Sequence, residues 1–397
     1  IGFDVMCGVA LAAGGFCIAA TVYVFHLERY RAILRPAVLT AFLGYAAVVV
    51  GLLFDLGLPW SIWHMIVYWN PRSPLFEVGW CVMLYLTVLL LEFLPVMLEM
   101  AKHPLLAGIH QALHKATVPL VILGIMLSTL HQSSLGSLFL IMPHRLDPLW
   151  YTPILPILFF ISAIALGLMM VTTESLFSSW LYEEEYELDL LQGLGKVAAG
   201  VLWFYLAVRI GDLAFRGVLP HAFDGGFEPG LFWVELAVSV FIPATLLTIP
   251  YTRRRMKTLA TAAGFTVVGF VFHRIDVGGL AMIGTTGTRY VPSWTELTVS
   301  FGIVAGFALV FFWIAERFHL MHGGPMLKGR ERLPDADTFR PRLIRGAVLF
   351  VTGAAMATAL LPSSTLDGWP VVAQTVHRPG YGDVMILDGN RNDKGVR

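Results

Sequence analysis

The chain has 397 residues, 57% of them hydrophobic and only 14% charged, and its basic and acidic side chains balance to zero. A soluble domain carries about 25% charged residues, so this deficit excludes an ordinary water-soluble globule and puts apolar surface against lipid. Zero net charge gives no reason to expect nucleic acid as a partner. Three scattered cysteines (Cys7, Cys17, Cys81), with no CxxC and no Cys/His cluster, leave the chain without the ligands for an iron–sulfur cluster or a structural zinc.

A membrane-crossing helix needs about 20 apolar residues. The chain opens on Ile1, read as a processed N-terminus, and no signal peptide follows. Apolar runs between charge, proline and glycine breaks predict spans over 5–26, 36–57, 75–98, 116–136, 153–177, 190–213, 231–250, 258–276, 295–315 and 343–362. The predicted fold class is an all-α integral membrane protein: two four-helix bundles plus additional flanking transmembrane helices. The bundles fall at 1–140 and 150–280. Two more spans with a linker occupy 295–362, and a tail follows over 363–397.

Alternate connections between these spans carry most of the cations, including Arg29, Arg31, Arg35, Lys196, Arg253, Arg254, Arg255 and Lys328. The bias toward cytoplasmic cations puts those connections inside and sends residue 1 and the tail to the periplasmic side. Tryptophans gather in the opposite connections: Trp60, Trp63, Trp69, Trp150, Trp233 and Trp294. They read as an interfacial belt, with Trp60 and Trp63 standing apart because they flank a charged helix end.

Helices 1–4 and 5–8 repeat one polar pattern in parallel. The second helix of each half ends in an aspartate, Asp55 and Asp212. The third opens with a glutamate, Glu77 and Glu235. The fourth ends in a histidine, His131 and His273. An ionisable residue within a span costs at least about 2.5–3.5 kcal/mol on insertion scales, and such residues usually face a pathway or site. In the second half a structural alternative is available, because Arg209, Arg274, Asp212, Asp276 and Glu235 can neutralise one another, Arg209 with Asp212 at i,i+3 for example. In the first half Asp55, Glu77 and His131 have no such neighbour. Glu92 and Glu99 lie further along the third helix, about 22 Å from Glu77 to Glu92, and Glu174 lies near the inner end of the fifth. These acids outline a proton route inward, or else snorkel to the surface.

On the segments CGVALAAGGF, RPAVLTAFLGY, LFDLGLPW, LFEVGWCVMLYLTVLLLEFLP, HQSSLGSL, FWVEL and PSWTEL, the chain resembles the NrfD/polysulfide-reductase-C family of quinone-interacting membrane subunits. Within that family it is similar to the HybB-type subunit of periplasmic nickel–iron hydrogenases. The resemblance implies a menaquinone or ubiquinone site near the outer face, and no haem, flavin or metal in this chain. It also implies a docked periplasmic ferredoxin-like iron–sulfur subunit beside hydrogenase catalytic subunits, and location in the bacterial inner membrane. Protonating a reduced quinone suits a histidine and a carboxylate. His131, Asp55 and Glu77, with Trp60 and Gln132, are the candidate quinone residues. Glu77, Glu92, Glu99, Glu174, Asp212, Glu235, Arg209 and Arg274 are the candidate proton pathway.

At its ends the chain departs from the family pattern, which has a helix ahead of the segment that opens here and lacks the span at 343–362 with its tail. Three alternatives stay open: a different NrfD-type complex (molybdopterin enzyme or multihaem cytochrome), a b-type cytochrome using His131 and His273, and a secondary transporter.

Overall fold

The computed structural model describes residues 2–56, 58–98, 104–182, 187–286, 294–317, 372–378 and 382–388. In hydrocarbon each backbone polar group needs a partner within the chain, so apolar runs of this length become helices. Among the described residues nine helices are long and apolar enough to cross a membrane: Val5–Val24, Glu28–Phe54, Pro74–Leu98, Leu106–Ser137, Leu155–Leu181, Leu188–Phe215, Phe227–Thr248, Met256–Met282 and Glu296–Ala315. These are spans 1 to 9 below, and they match the first nine predicted. The predicted span 343–362 lies outside the described residues. In the tail, strands β1 (Val372–Arg378) and β2 (Gly382–Asp388) pair antiparallel, with Val372 opposite Asp388.

Span 1 packs on spans 2 and 4, span 2 on span 3, and span 3 on span 4. Spans 5, 6, 7 and 8 repeat the circuit, and spans 1 and 4 meet span 5. Glycine decides how close spans 1 and 5 come. A Cβ on Gly14 would sit 2.5 Å from Val171 Cγ2 and 3.0 Å from the Gly167 carbonyl, and one on Gly167 would sit 2.7 Å from Gly14 N. The two backbones cross with no room for a side chain, the close approach that small residues permit in membranes.

Span 7 breaks its regular winding. Pro243 has no N–H for the Ser239 carbonyl and its ring would strike it. A π-helical turn, Ala237–Phe241, widens the helix there. Gly269 of span 8 packs against the widened turn, where a Cβ would lie 2.3 Å from Ser239 Cα. Span 9 stands at the edge. It joins spans 2 and 3 through a small separate cluster of Leu39, Leu43, Phe93, Phe311, Ile314 and Ala315.

Candidate functional site

The three polar positions of the sequence repeat lead to two differently built clusters. In the first half, His131 and Gln132 sit fully buried near the end of span 4. The Tyr45 hydroxyl on span 2 lies 3.1 Å from His131 Nδ1, and the Tyr45 ring stands edge-on to Tyr85 at 4.6 Å. Gln132 Nε2 donates to the Val9 carbonyl at 3.0 Å. Two buried atoms face the interior without a protein partner, His131 Nε2 and Gln132 Oε1. One turn beyond His131, Ser134 Oγ donates to Glu77 Oε1 at 2.5 Å. Glu77 is exposed, so the cluster runs from a neutral buried core to an acid at its mouth.

Beside that mouth, Trp80 Nε1 donates to the Met65 carbonyl at 3.1 Å. This bond ties the connection after span 2 to the start of span 3. Trp60 in that connection is 70% exposed and stands outside the buried cluster. Asp55 ends the span 2 helix, but its side chain is outside the described set, as is the whole of Glu99.

The second half is sealed and charged. Arg209, Glu235, His273, Arg274 and Asp276 are all buried. Glu235 Oε1 lies 3.2 Å from Arg209 Nη1 and 3.0 Å from His273 Nδ1. Glu235 Oε2 accepts the Trp150 indole N–H at 2.6 Å. Arg209 also donates to the Tyr205 hydroxyl at 2.7 Å and lies over the Phe232 ring at 5.2 Å. Arg274 donates to the Phe159 carbonyl at 3.0 Å and to Ser162 Oγ at 2.9 Å. Two guanidiniums and two carboxylates thus share one apolar enclosure, in which Glu235 is paired and the Asp276 oxygens have no hydrogen-bond partner.

Two expectations need correcting. Arg209 does not pair with Asp212. It turns inward to Glu235 on span 7, while Asp212, one turn nearer the helix end, pairs with Arg216 at 2.8 Å and accepts Thr152 Oγ1 at 2.9 Å. Trp150 is not an interfacial anchor, since it is 2% exposed and bonded to Glu235. It belongs to the connection between spans 4 and 5, which is lashed over the second cluster. There Asp147 N–H donates to the Ala281 carbonyl at 3.0 Å, and Arg216 Nη1 donates to the Pro148 carbonyl at 3.2 Å. His221 completes the lashing at 3.5 Å from Asp147 and 2.9 Å from Asp224. The hydrogen bond to Asp224, helped by Asp147, raises the His221 pKa above its ordinary value.

Of the other acids, Glu92 lies inside span 3 near Tyr85, both flanking Gly124. Glu174 on span 5 has both carboxylate oxygens buried without a hydrogen-bond partner. No group of three or more His, Cys, Asp or Glu side chains among the described residues is arranged to hold a metal ion. Tyr45 escaped the sequence reading. It lies in the apolar run of span 2, and a hydroxyl there carries no spacing signal.

A family model described as polysulphide reductase, NrfD matches residues 6–281. The chain belongs to the NrfD family. It is 40% identical over 339 residues to a Nitratidesulfovibrio vulgaris protein that has no descriptive name, covering 83% of this chain and 86% of the relative. It is 31% identical over 310 residues to the probable Ni/Fe-hydrogenase 2 b-type cytochrome subunit of Escherichia coli, covering 77% and 78%. It is 28% identical over 326 residues to the menaquinone reductase integral membrane subunit of N. vulgaris, covering 76% and 78%. With its nine candidate spans, this NrfD-family chain is a multi-pass membrane protein.

Proposed function

We propose that this NrfD-family chain is the quinone-interacting membrane subunit of a respiratory oxidoreductase complex. It exchanges electrons between a periplasmic iron–sulfur subunit and the menaquinone or ubiquinone pool. The observation that carries the reading is the pair of neighbouring buried atoms without a protein partner, His131 Nε2 and Gln132 Oε1. Native interiors rarely leave buried polar atoms unpaired, and such atoms call for a ligand or water. A ring nitrogen able to donate beside an amide oxygen able to accept fits a ligand whose oxygens accept bonds when oxidised and donate them when reduced. A neutral cluster also fits an uncharged headgroup better than the charged second half does.

Quinone reduction consumes two electrons and two protons. The chain's own contribution is to hold the headgroup oxygens at His131 and Gln132 and to present protons there. Glu77 and Ser134 guard the mouth, and Asp55 and Trp60 belong to the same end. The acids Glu92, Glu99 and Glu174, with Asp212, Glu235, Arg209 and Arg274, supply proton routing and its counter-charges. We assign spans 1–4 and 5–8 to two four-helix bundles, at 1–140 and 150–280. The His131 end and the tail lie on the periplasmic side of the bacterial inner membrane, where the iron–sulfur and catalytic subunits dock. The hydrogenase relative favours a nickel–iron hydrogenase as catalytic partner, and the menaquinone reductase relative favours menaquinone. The chain itself holds no haem in this reading, and a Soret band in the purified subunit would overturn that assignment.

The test is reduction of a short-chain menaquinone analogue by the purified complex. His131→Ala and Glu77→Gln should assemble and lower that turnover, about 10²-fold and about tenfold, while artificial-dye reduction at the catalytic subunit persists. Normal quinone reduction in both variants would sink the site.

A further inference from the structure

The connection between spans 2 and 3 lies at the His131 end and is unlike the others there. Residues 56–71 contain no Asp, Glu, Lys or Arg. Two short helical turns, Pro59–Ser61 and His64–Val67, wind through it. Leu58, Trp60, Ile66, Val67, Tyr68 and Trp69 are each 53–70% exposed. A continuous apolar face of this kind marks contact with protein or with lipid. The alternation of spans brings the connections 138–154 and 216–226 to the same end, and they are built otherwise. There an exposed ring such as Phe223 stands among exposed charges, Arg145 and Asp224.

Three observations choose lipid. The first is depth. Trp80 Nε1 donates to the Met65 carbonyl at 3.1 Å, and a Cβ on Gly79 would meet the Met65 sulfur at 2.7 Å. Span 3 begins at Pro74, so the connection folds back along the span to a level about 9 Å below its first residue. Interfacial segments sink their apolar face about 5–10 Å into the boundary between headgroups and acyl chains. The second is continuity. Phe54 at the end of span 2 is 70% exposed and Leu75 at the start of span 3 is 67% exposed. The lipid-facing sides of both spans therefore run on into the apolar face of the connection. The third is the backbone. Ile62 N–H donates to the Pro59 carbonyl, Met65 to Ile62, Ile66 to Trp63 and Tyr68 to His64, at 2.7–3.3 Å. The Trp69 indole takes up the Ile66 carbonyl at 2.9 Å. A backbone satisfied from within is what a layer poor in water demands. The Trp69, Phe76 and Trp80 rings, with centroids 4.8–6.1 Å apart, pin the segment to span 3.

We propose that residues 58–69 are an interfacial element bedded in the lipid headgroup layer, and not a platform for a soluble subunit. Glu77 stands one turn before Trp80 on span 3, so the mouth of the His131 cluster opens at bilayer level beside this sill. On the quinone reading, on which this last step rests, a ligand with a long isoprenoid tail crosses the sill sideways from the lipid. Its headgroup turns in past Glu77 while its tail stays among acyl chains.

The experiment uses the purified complex in vesicles of phosphatidylethanolamine and phosphatidylglycerol. A nitroxide is attached at Leu58→Cys, Ile66→Cys or Val67→Cys; the native Cys7, Cys17 and Cys81 are buried. His144→Cys is the aqueous reference, and Leu84→Cys, exposed on span 3, is the hydrocarbon reference. All three labels should collide with oxygen in preference to a water-soluble nickel chelate and report a depth between the two references. Chelate access equal to that at His144 would overturn the proposal. So would labels immobilised and shielded from both reagents, the pattern of a covering protein subunit. A second readout addresses the doorway. Val67→Asp should raise the KM for a long-tailed menaquinone severalfold and leave that for a water-soluble short-chain analogue unchanged, with dye reduction at the catalytic subunit intact. Equal shifts for the two substrates, or none, would overturn the doorway. Undiminished quinone reduction in His131→Ala would instead overturn the quinone site, and the collision result does not depend on it.

Discussion

The two halves of this protein start from one polar pattern and use it in opposite ways. In the first half a histidine and its neighbouring glutamine are buried, each with one atom that has no protein partner. In the second half the equivalent histidine is held against a glutamate that two further side chains also grip. Arg209 makes the difference. Its guanidinium stands among Tyr205, Glu235 and His273, the same three residue types, tyrosine, acid and histidine, that make up the first cluster. The arginine bonds all three groups, yet His273 Nε2 and both Asp276 oxygens stay buried without a hydrogen-bond partner beside it. One polar pattern thus gives one cluster we assign to the quinone and one charged strut, and the residue that sets them apart is an arginine in the second.

The strut should respond to its variants in stability, the proposed quinone cluster in turnover. Arg209→Met strands Glu235 without its cation and should cost about 3–5 kcal/mol. Thermal unfolding of the detergent-solubilised complex reads this, and the double variant Arg209→Met/Glu235→Leu should recover most of the loss. A stable single variant would mean that the second cluster is no strut. His131→Ala should cost less stability than Arg209→Met and lower quinone turnover about 10²-fold. Glu77→Gln keeps the hydrogen bond from Ser134 and should cost less, about tenfold in turnover at saturating quinone analogue. Equal losses from both would merge core and mouth into one unit. The smallest effect belongs to the lashing over the second cluster. The His221 pKa is raised in the folded protein, so its contribution to stability is complete below about pH 6.5. It fades as pH rises through the folded value. His221→Ala should flatten that part of the stability–pH curve and leave turnover alone.

The spans were legible because lipid enforces them: nearly every long apolar run had to become a helix, and nine predicted spans stand where expected. The positions of His131, Glu77, Glu235 and Arg209 were legible for the same reason, since polar residues within spans are few. Their partners were not. Spacing suggested that Arg209 would take Asp212 on its own helix, but the choice between a near acid and a buried one on span 7 is made by which way the side chain turns. That direction depends on packing between helices. Trp150 read as an interfacial ring because its connection looked like surface, and nothing in the sequence says that the connection folds down over spans 6 to 8. Tyr45 was hidden by the opposite effect, a buried hydroxyl inside an apolar run.

The crossing of Gly14 and Gly167 has a mechanical consequence. Backbones in direct contact cannot slide or part without opening a gap that no neighbouring side chain fills, and the contact lies on the seam between the two halves. A transporter that alternates access needs its halves to rock about such a seam. A seam of bare backbone acts as a weld. A welded seam fixes the spacing of the buried clusters on either side of it.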